Sequence, residues 1–136
     1  MKYHLLLPRG EKAGGAADYY QWGALLNSVS AFEIYRRVYR DLITPRRVAE
    51  LLVLRADMPR SLHRCVEQLY THLIAVRNGQ SAETERRAGE LHASLRFGRI
   101  DDIFELGLHE YLVQFMGRTR DLGERVSRDF LVSSAD

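Results

Sequence analysis

The sequence predicts an all-α fold, an antiparallel helical bundle of five or six helices forming one domain over residues 1–136. Three observations point there. Apolar residues recur at three- and four-residue spacing wherever a pattern can be counted. No stretch alternates strictly with β-branched enrichment, and 136 residues is the length of one compact unit. Composition agrees, since 46% apolar and 28% charged residues, with a net charge of +2, is the balance of an ordinary globular chain.

The elements follow in order. Residues 8–17, with Pro8, Gly10, Gly14 and Gly15, read as a loop, and Asp18 caps the helix after it. In that helix Trp22, Leu25, Leu26 and Val29 recur at helical spacing; Tyr19 and Trp22 turn inward and Tyr20 stays exposed. Ser30, Ala31, Phe32 and Glu33 fit the S-x-x-E capping box, which predicts a break near residue 29 and a new helix carrying Phe32, Tyr35 and Tyr39. Thr44 and Pro45 read as N-cap and first residue of a short helix with Val48, Leu51 and Leu52 inward. Asp57 and Pro59 give the next start signal, and Leu62, Cys65, Val66, Leu69, Leu73 and Val76 hold one face until Asn78 and Gly79.

Ser81 caps a helix through about Arg96, with Ala88, Leu91 and Leu95 inward and an end near Gly98. From Asp101 or Asp102 a stripe of Phe104, Leu108, Tyr111, Leu112, Phe115, Thr119, Leu122 and Val126 predicts one helix to about Phe130. At 1.5 Å per residue it is about 45 Å long, more than a domain of this size spans. It therefore bends near Gly117 or is covered from outside. The predicted core includes Trp22, Leu25, Leu51, Leu62, Cys65, Leu69, Leu91, Leu108, Leu112 and Phe115.

Catalytic signatures are absent. Cys65 is the single cysteine, which excludes an internal disulfide and Cys-based zinc sites, and its place in an apolar stripe suits a buried thiol rather than a nucleophile. His109 and Glu110 begin the zinc-protease pattern H-E-x-x-H, but Val113 occupies the last position. Glu105 with His109, and His63 with Glu67, are carboxylate–imidazole pairs four residues apart, which read as local helix-surface pairing. The glycines from Gly10 to Gly15 are followed by Ala16 and Ala17, not the lysine and hydroxyl residue of a phosphate loop. Ser28, Ser30 and Ser61 have no G-x-S-x-G frame. Neither metal nor cofactor is expected.

Charge is distributed unevenly. Only Lys2 and Lys12 are lysine, so arginine supplies eighteen of the twenty cations. Eight arginines between Arg36 and Arg64 face three acids, Asp41, Glu50 and Asp57, for a net of +5, whereas six cations face eight acids from Arg96 onward. That layout fits an anionic partner for the first half or two halves that face each other. The candidate anion- or partner-binding residues are Tyr20, Arg36, Arg40, Arg46, Arg47 and Arg60. A nucleic-acid binder acting through Arg36 to Arg64 is an alternative, although such domains usually carry a higher net charge. No run of about 18 apolar residues is present and Leu5 to Leu7 is too short for a signal-peptide core, so the cytosol is expected.

Several strings together resemble one family, the bacterial alpha-E proteins, a helical family of unknown function named for a Glu-Arg motif. They are Lys-Tyr-His-Leu-Leu-Leu-Pro at 2–8, Asp-Tyr-Tyr-Gln-Trp at 18–22, Ser-Ala-Phe-Glu at 30–33 through Tyr-Arg-Arg at 35–37, and Thr-Pro-Arg-Arg-Val-Ala-Glu at 44–50. Met-Pro-Arg-Ser at 58–61, Gly-Leu-His at 107–109 and Ser-Arg-Asp-Phe at 127–130 complete the set. The resemblance is to the C-terminal part of the family domain, which implies that the Glu-Arg helix lies upstream of Lys2. It also implies a setting, beside ATP-grasp and transglutaminase-like proteins of a peptide-forming or peptide-modifying system. On that footing an interaction or scaffold module is expected, accessory to an ATP-grasp peptide ligase or transglutaminase-like protease. The alternative is a subunit of a peptide-modifying enzyme completed by the N-terminal half. Tyr3, Leu5, Leu6 and Leu7, with the final helix around Leu122, are expected to be covered by a second copy or by a protein carrying that half.

Overall fold

A computed structural model describes residues 16–40 and 42–132, and among them are seven α-helices and no strand. The leading segment, most of the Gly-rich loop and the side chain of Tyr19 lie outside the described residues. Helix α1 spans Ala16–Ser28, α2 Phe32–Tyr39 and α3 Pro45–Ala49, the last running on as a π-helical segment over Glu50–Leu54. Helices α4 (Leu62–Ala75) and α5 (Ala82–Arg96) form a hairpin; α6 (Ile100–Leu106) and α7 (Leu108–Val126) follow, and a second π-helical segment covers Ser127–Val132.

Hydrogen bonds at the helix ends decide the boundaries. Ser30 is not a cap of α2. It takes the left-handed conformation at φ 58°, its N–H donates to the Asn27 carbonyl at 3.0 Å and the Ala31 N–H donates to the Leu26 carbonyl at 2.8 Å. This pair of bonds is a Schellman motif, so the serine read as opening α2 instead closes α1. Thr44 caps α3 as the sequence predicts, its hydroxyl accepting from the Arg47 N–H at 3.2 Å. The start signal at Asp57 and Pro59 gives way to Ser61, whose buried hydroxyl accepts from the Arg64 N–H at 3.0 Å and caps α4. Ser81 precedes α5 as expected, but its hydroxyl bonds both the N–H and the carbonyl of Asn78 and so ties the hairpin loop instead of the helix.

The largest departure concerns the final helix. Gly107 adopts φ 109° and ψ 128°, a region that essentially only glycine occupies, and divides the predicted single helix into α6 and α7. Gly117 lies within α7, whose 19 residues span about 28 Å before the π-helical segment continues the run to Val132. The final helix is therefore shorter than expected, and Leu122 is buried in the chain's own core.

That core has two parts. One gathers Trp22 and Leu26 of α1, Tyr35 of α2, Val48 of α3, Leu51 and Met58. The other gathers Val66 and Leu73 of α4, Ala88, Leu91 and Leu95 of α5, Ile100 and Ile103 of α6 and Leu122 of α7. The π-helical segment joins them, Leu51 packing into the first and Val53 into the second. Of the ten predicted core residues only Cys65 is exposed. Successive helical residues lie 100° apart, and the buried side of α4 centres on Val66 and Leu73, which turns Cys65 out.

Several buried polar groups are tied by hydrogen bonds. The Tyr35 hydroxyl donates to the Leu42 carbonyl at 2.9 Å and accepts from the Thr44 N–H at 3.2 Å, fixing the turn between α2 and α3. Burial, and then its hydrogen bond to Glu50 at 2.8 Å, push the Tyr39 phenol well above its ordinary range. Asp129, in the terminal π-helical segment, accepts from the buried Thr84 hydroxyl of α5, and its carbonyl accepts from the Asn78 amide at 3.1 Å.

Candidate functional site

Two features separate from ordinary core and surface. The first is a groove of about 510 Å³ in which Leu25 and Val29 of α1, Leu52 and Val53 of the π-helical segment and Leu62 of α4 face Leu112, Phe115 and Met116 of α7. Among the described residues polar lining comes only from Arg60, His109 and Thr119, with no carboxylate. On α7 the positions 109, 112, 113, 116 and 119 recur at helical spacing, so one face of three turns forms the wall. Val113 and Met116 stay about half exposed there.

The second feature is a cluster of His63, Glu67 and His92 between α4 and α5. His63 and Glu67 are one turn apart, as the sequence suggested. The third member comes from the other arm of the hairpin, which no spacing within α4 could reveal. His63 is buried, and its Nδ1 lies 2.8 Å from the carbonyl of Leu54, the last residue of the π-helical segment. A carbonyl only accepts, so Nδ1 donates, and in the neutral ring Nε2 is the nitrogen left with a lone pair. His92 Nε2 is buried, has no hydrogen-bond partner and lies 3.7 Å from Glu67 Oε2. The other carboxylate oxygen of Glu67 is 3.6 Å from Arg64.

The aromatic rings fix this arrangement. Tyr70 stacks on His92 with centroids 5.6 Å apart, and the rings of His63 and His92 are 5.5 Å apart. Gly89 makes the approach possible, because a Cβ there would meet the Tyr70 ring at 3.1 Å. A hollow of about 500 Å³ adjoins the cluster, lined by Arg64, Glu67, Tyr70, Thr71 and His92 among others.

The other carboxylate–imidazole pair does not lie on a single helix. Glu105 belongs to α6 and His109 to α7, with the Gly107 break between them, so they share no helix face. The arginines and Tyr20 singled out from the sequence are spread over several elements. Tyr20 is exposed on α1, Arg36 is exposed on α2, and Arg40 follows α2 in the left-handed conformation. Arg46 makes an ion pair with Asp101 of α6, and Arg47 lies over the Tyr39 ring with its guanidinium carbon 5.6 Å from the centroid. Arg60 alone of the six lines the groove.

No curated protein and no solved structure matches the chain. A family model does: Alpha-E, a predicted alpha-helical domain with a conserved ER motif, matches residues 1–131, nearly the whole chain and not only its C-terminal part. Two Glu-Arg dipeptides occur, at 85–86 and 124–125, and neighbours on a helix diverge too far to pair with each other. Glu85 instead meets Arg77, Arg86 meets Glu83 and Glu90, and Arg125 meets Asp121.

Proposed function

The chain belongs to the Alpha-E family, and we propose that its domain is an interaction module that docks a partner helix in the groove between α1, the π-helical segment and α7. The observation that supports this is the groove's chemistry, an apolar floor with the Arg60 guanidinium and no lining carboxylate. A helix with an apolar stripe at i, i+3 and i+7 and one carboxylate opposite Arg60 matches both properties. The partner class is the one implied by the family resemblance, an ATP-grasp peptide ligase or a transglutaminase-like protease working in the cytosol. No helix among the described residues is long and apolar enough to cross a membrane. The arginine-rich segment is a weaker basis for nucleic-acid binding, because Arg46, Arg55 and Arg64 are ion-paired with Asp101, Asp57 and Glu67 and Arg47 covers Tyr39.

The test is a calorimetric titration of the domain with a purified ATP-grasp partner. Val113→Glu and Met116→Glu put charge into the groove and are expected to weaken binding at least about tenfold, the effect of about 1.4 kcal/mol. Phe97→Glu, at an exposed apolar side chain outside the groove lining, is expected to leave it unchanged. Partner binding that survives both groove substitutions refutes the reading. A concentration-dependent dimer broken by those same substitutions assigns the groove to a second copy instead.

A further inference from the structure

The His63, Glu67 and His92 side chains each offer one ligand atom, and these atoms all lie within 4.8 Å of one another. We propose that they bind a divalent metal ion, zinc by preference, with one coordination position left open toward the adjoining hollow. Two imidazoles and one carboxylate are the donor set that borderline-soft zinc takes when a fourth position is kept for an exchangeable ligand.

The surroundings supply what a bound metal requires. The proton on His63 Nδ1 goes to the Leu54 carbonyl at 2.8 Å, which presents Nε2 as the basic nitrogen and fixes the ring, the outer support usual for metal-bound histidine. His92 Nε2 is a buried nitrogen with no hydrogen-bond partner, beside a carboxylate oxygen at 3.7 Å. Ligands held about 2.0–2.1 Å from a tetrahedral zinc stand about 3.4 Å apart, so that gap closes by a few tenths of an ångström and the widest by about 1.4 Å. Rotation of the half-exposed Glu67 side chain brings its carboxylate toward the imidazoles, and small ring rotations take up the remainder. Arg64, 3.6 Å from the second carboxylate oxygen, then holds Glu67 as a one-oxygen ligand.

The open position faces the hollow beside the cluster, where Arg64 is also a lining residue. A guanidinium next to a cationic metal selects an anion, so the exchangeable ligand is water or a carboxylate or phosphate group. Cys65 takes no part, since it follows Arg64 round the helix and is exposed.

Titrating the chain with zinc chloride alone, by calorimetry, is expected to show one saturable equivalent and a rise in Tm, and cobalt(II) is expected to give the visible absorption of a four-coordinate site. His92→Gln and Glu67→Gln are expected to lower zinc affinity by tenfold or more. Substitution of the buried His63 is paired with a circular dichroism check of the fold. Cys65→Ser, exposed on α4 and outside both the cluster and the hollow, is expected to change nothing. Failure to see saturable binding overturns the assignment. So does binding that H92Q and E67Q leave at full affinity, because the metal then sits on other groups.

Discussion

Asp129→Ala is expected to destabilise the domain by about 2–3 kcal/mol. Asp129 is only 8% exposed and Thr84 1%, so the bond between them is made away from water. A hydrogen bond to a charged acceptor contributes about 1.5–3 kcal/mol, and losing the acceptor also leaves the Thr84 hydroxyl unmatched inside α5. The bond from the Asn78 amide goes to the backbone carbonyl of residue 129 and survives the substitution. For a chain of this length each kcal/mol moves Tm by about 3–5 °C, so a fall of about 10 °C is expected. Urea unfolding followed by circular dichroism measures the free energy, and a double-mutant cycle with the near-isosteric Thr84→Val isolates the pair. A coupling of at least about 1 kcal/mol is expected. A loss below about 0.5 kcal/mol for Asp129→Ala, or additive single effects, would show that the Thr84–Asp129 bond does not hold the terminal π-helical segment and refute the reasoning.

Four further outcomes follow from particular residues. Ser30→Gly relieves a left-handed serine and is expected to stabilise by about 1 kcal/mol in the same urea assay; a loss of stability would mean that its hydroxyl does work the backbone bonds do not show. Gly107→Ala puts a Cβ at φ 109° and is expected to cost about 1–3 kcal/mol, read as a lower Tm. Cys65 is expected to react with a chromogenic disulfide reagent in the folded state at the rate of an exposed thiol, whereas labelling that waits for unfolding would return it to the core. Glu83 is held down to about 2 by hydrogen bonds from Arg86 and then Arg87, against an ordinary 4.5. Its folded value is the lower one, so its contribution is present above 4.5 and lost as pH falls toward 2; Glu83→Gln is expected to flatten the stability–pH curve in that window.

Periodicity carried the fold because burial in a helical bundle is read locally. The stripe at Ala88, Leu91 and Leu95 and the Thr44–Pro45 start are recoverable from neighbours within a few residues, and both hold in the structure. Errors arose where one residue satisfies two local rules. Ser30 fits a capping box and also the left-handed end of the preceding helix, and the backbone bonds to Asn27 and Leu26 select the second role. Gly107 sits inside an unbroken apolar stripe, so the stripe concealed a break that only its positive φ reveals. Cys65 shares the six-residue stripe from Leu62 to Val76, but the buried face of α4 is narrower and centres on Val66 and Leu73.

The two candidate sites were less legible for a different reason, since each is assembled across elements. The groove needs α1 and α7, whose lining positions Leu25 and Met116 lie at opposite ends of the chain, and the cluster needs His92 from the far arm of a hairpin. Both meet at one short stretch. Leu52 and Val53 line the groove, and the next carbonyl, that of Leu54, fixes His63; Leu62 lines the groove, and the next side chain belongs to the cluster. The π-helical turn explains how five residues serve both sides. Its bond from the Arg55 N–H reaches the Glu50 carbonyl at 3.2 Å, five residues back, so the turn is wider than in an α-helix and ends with the Leu54 carbonyl turned to His63. A helix pressed into the groove therefore bears on the same backbone that orients the imidazole. Occupancy at either site is expected to be felt at the other to the extent that this turn moves, and equally in both directions.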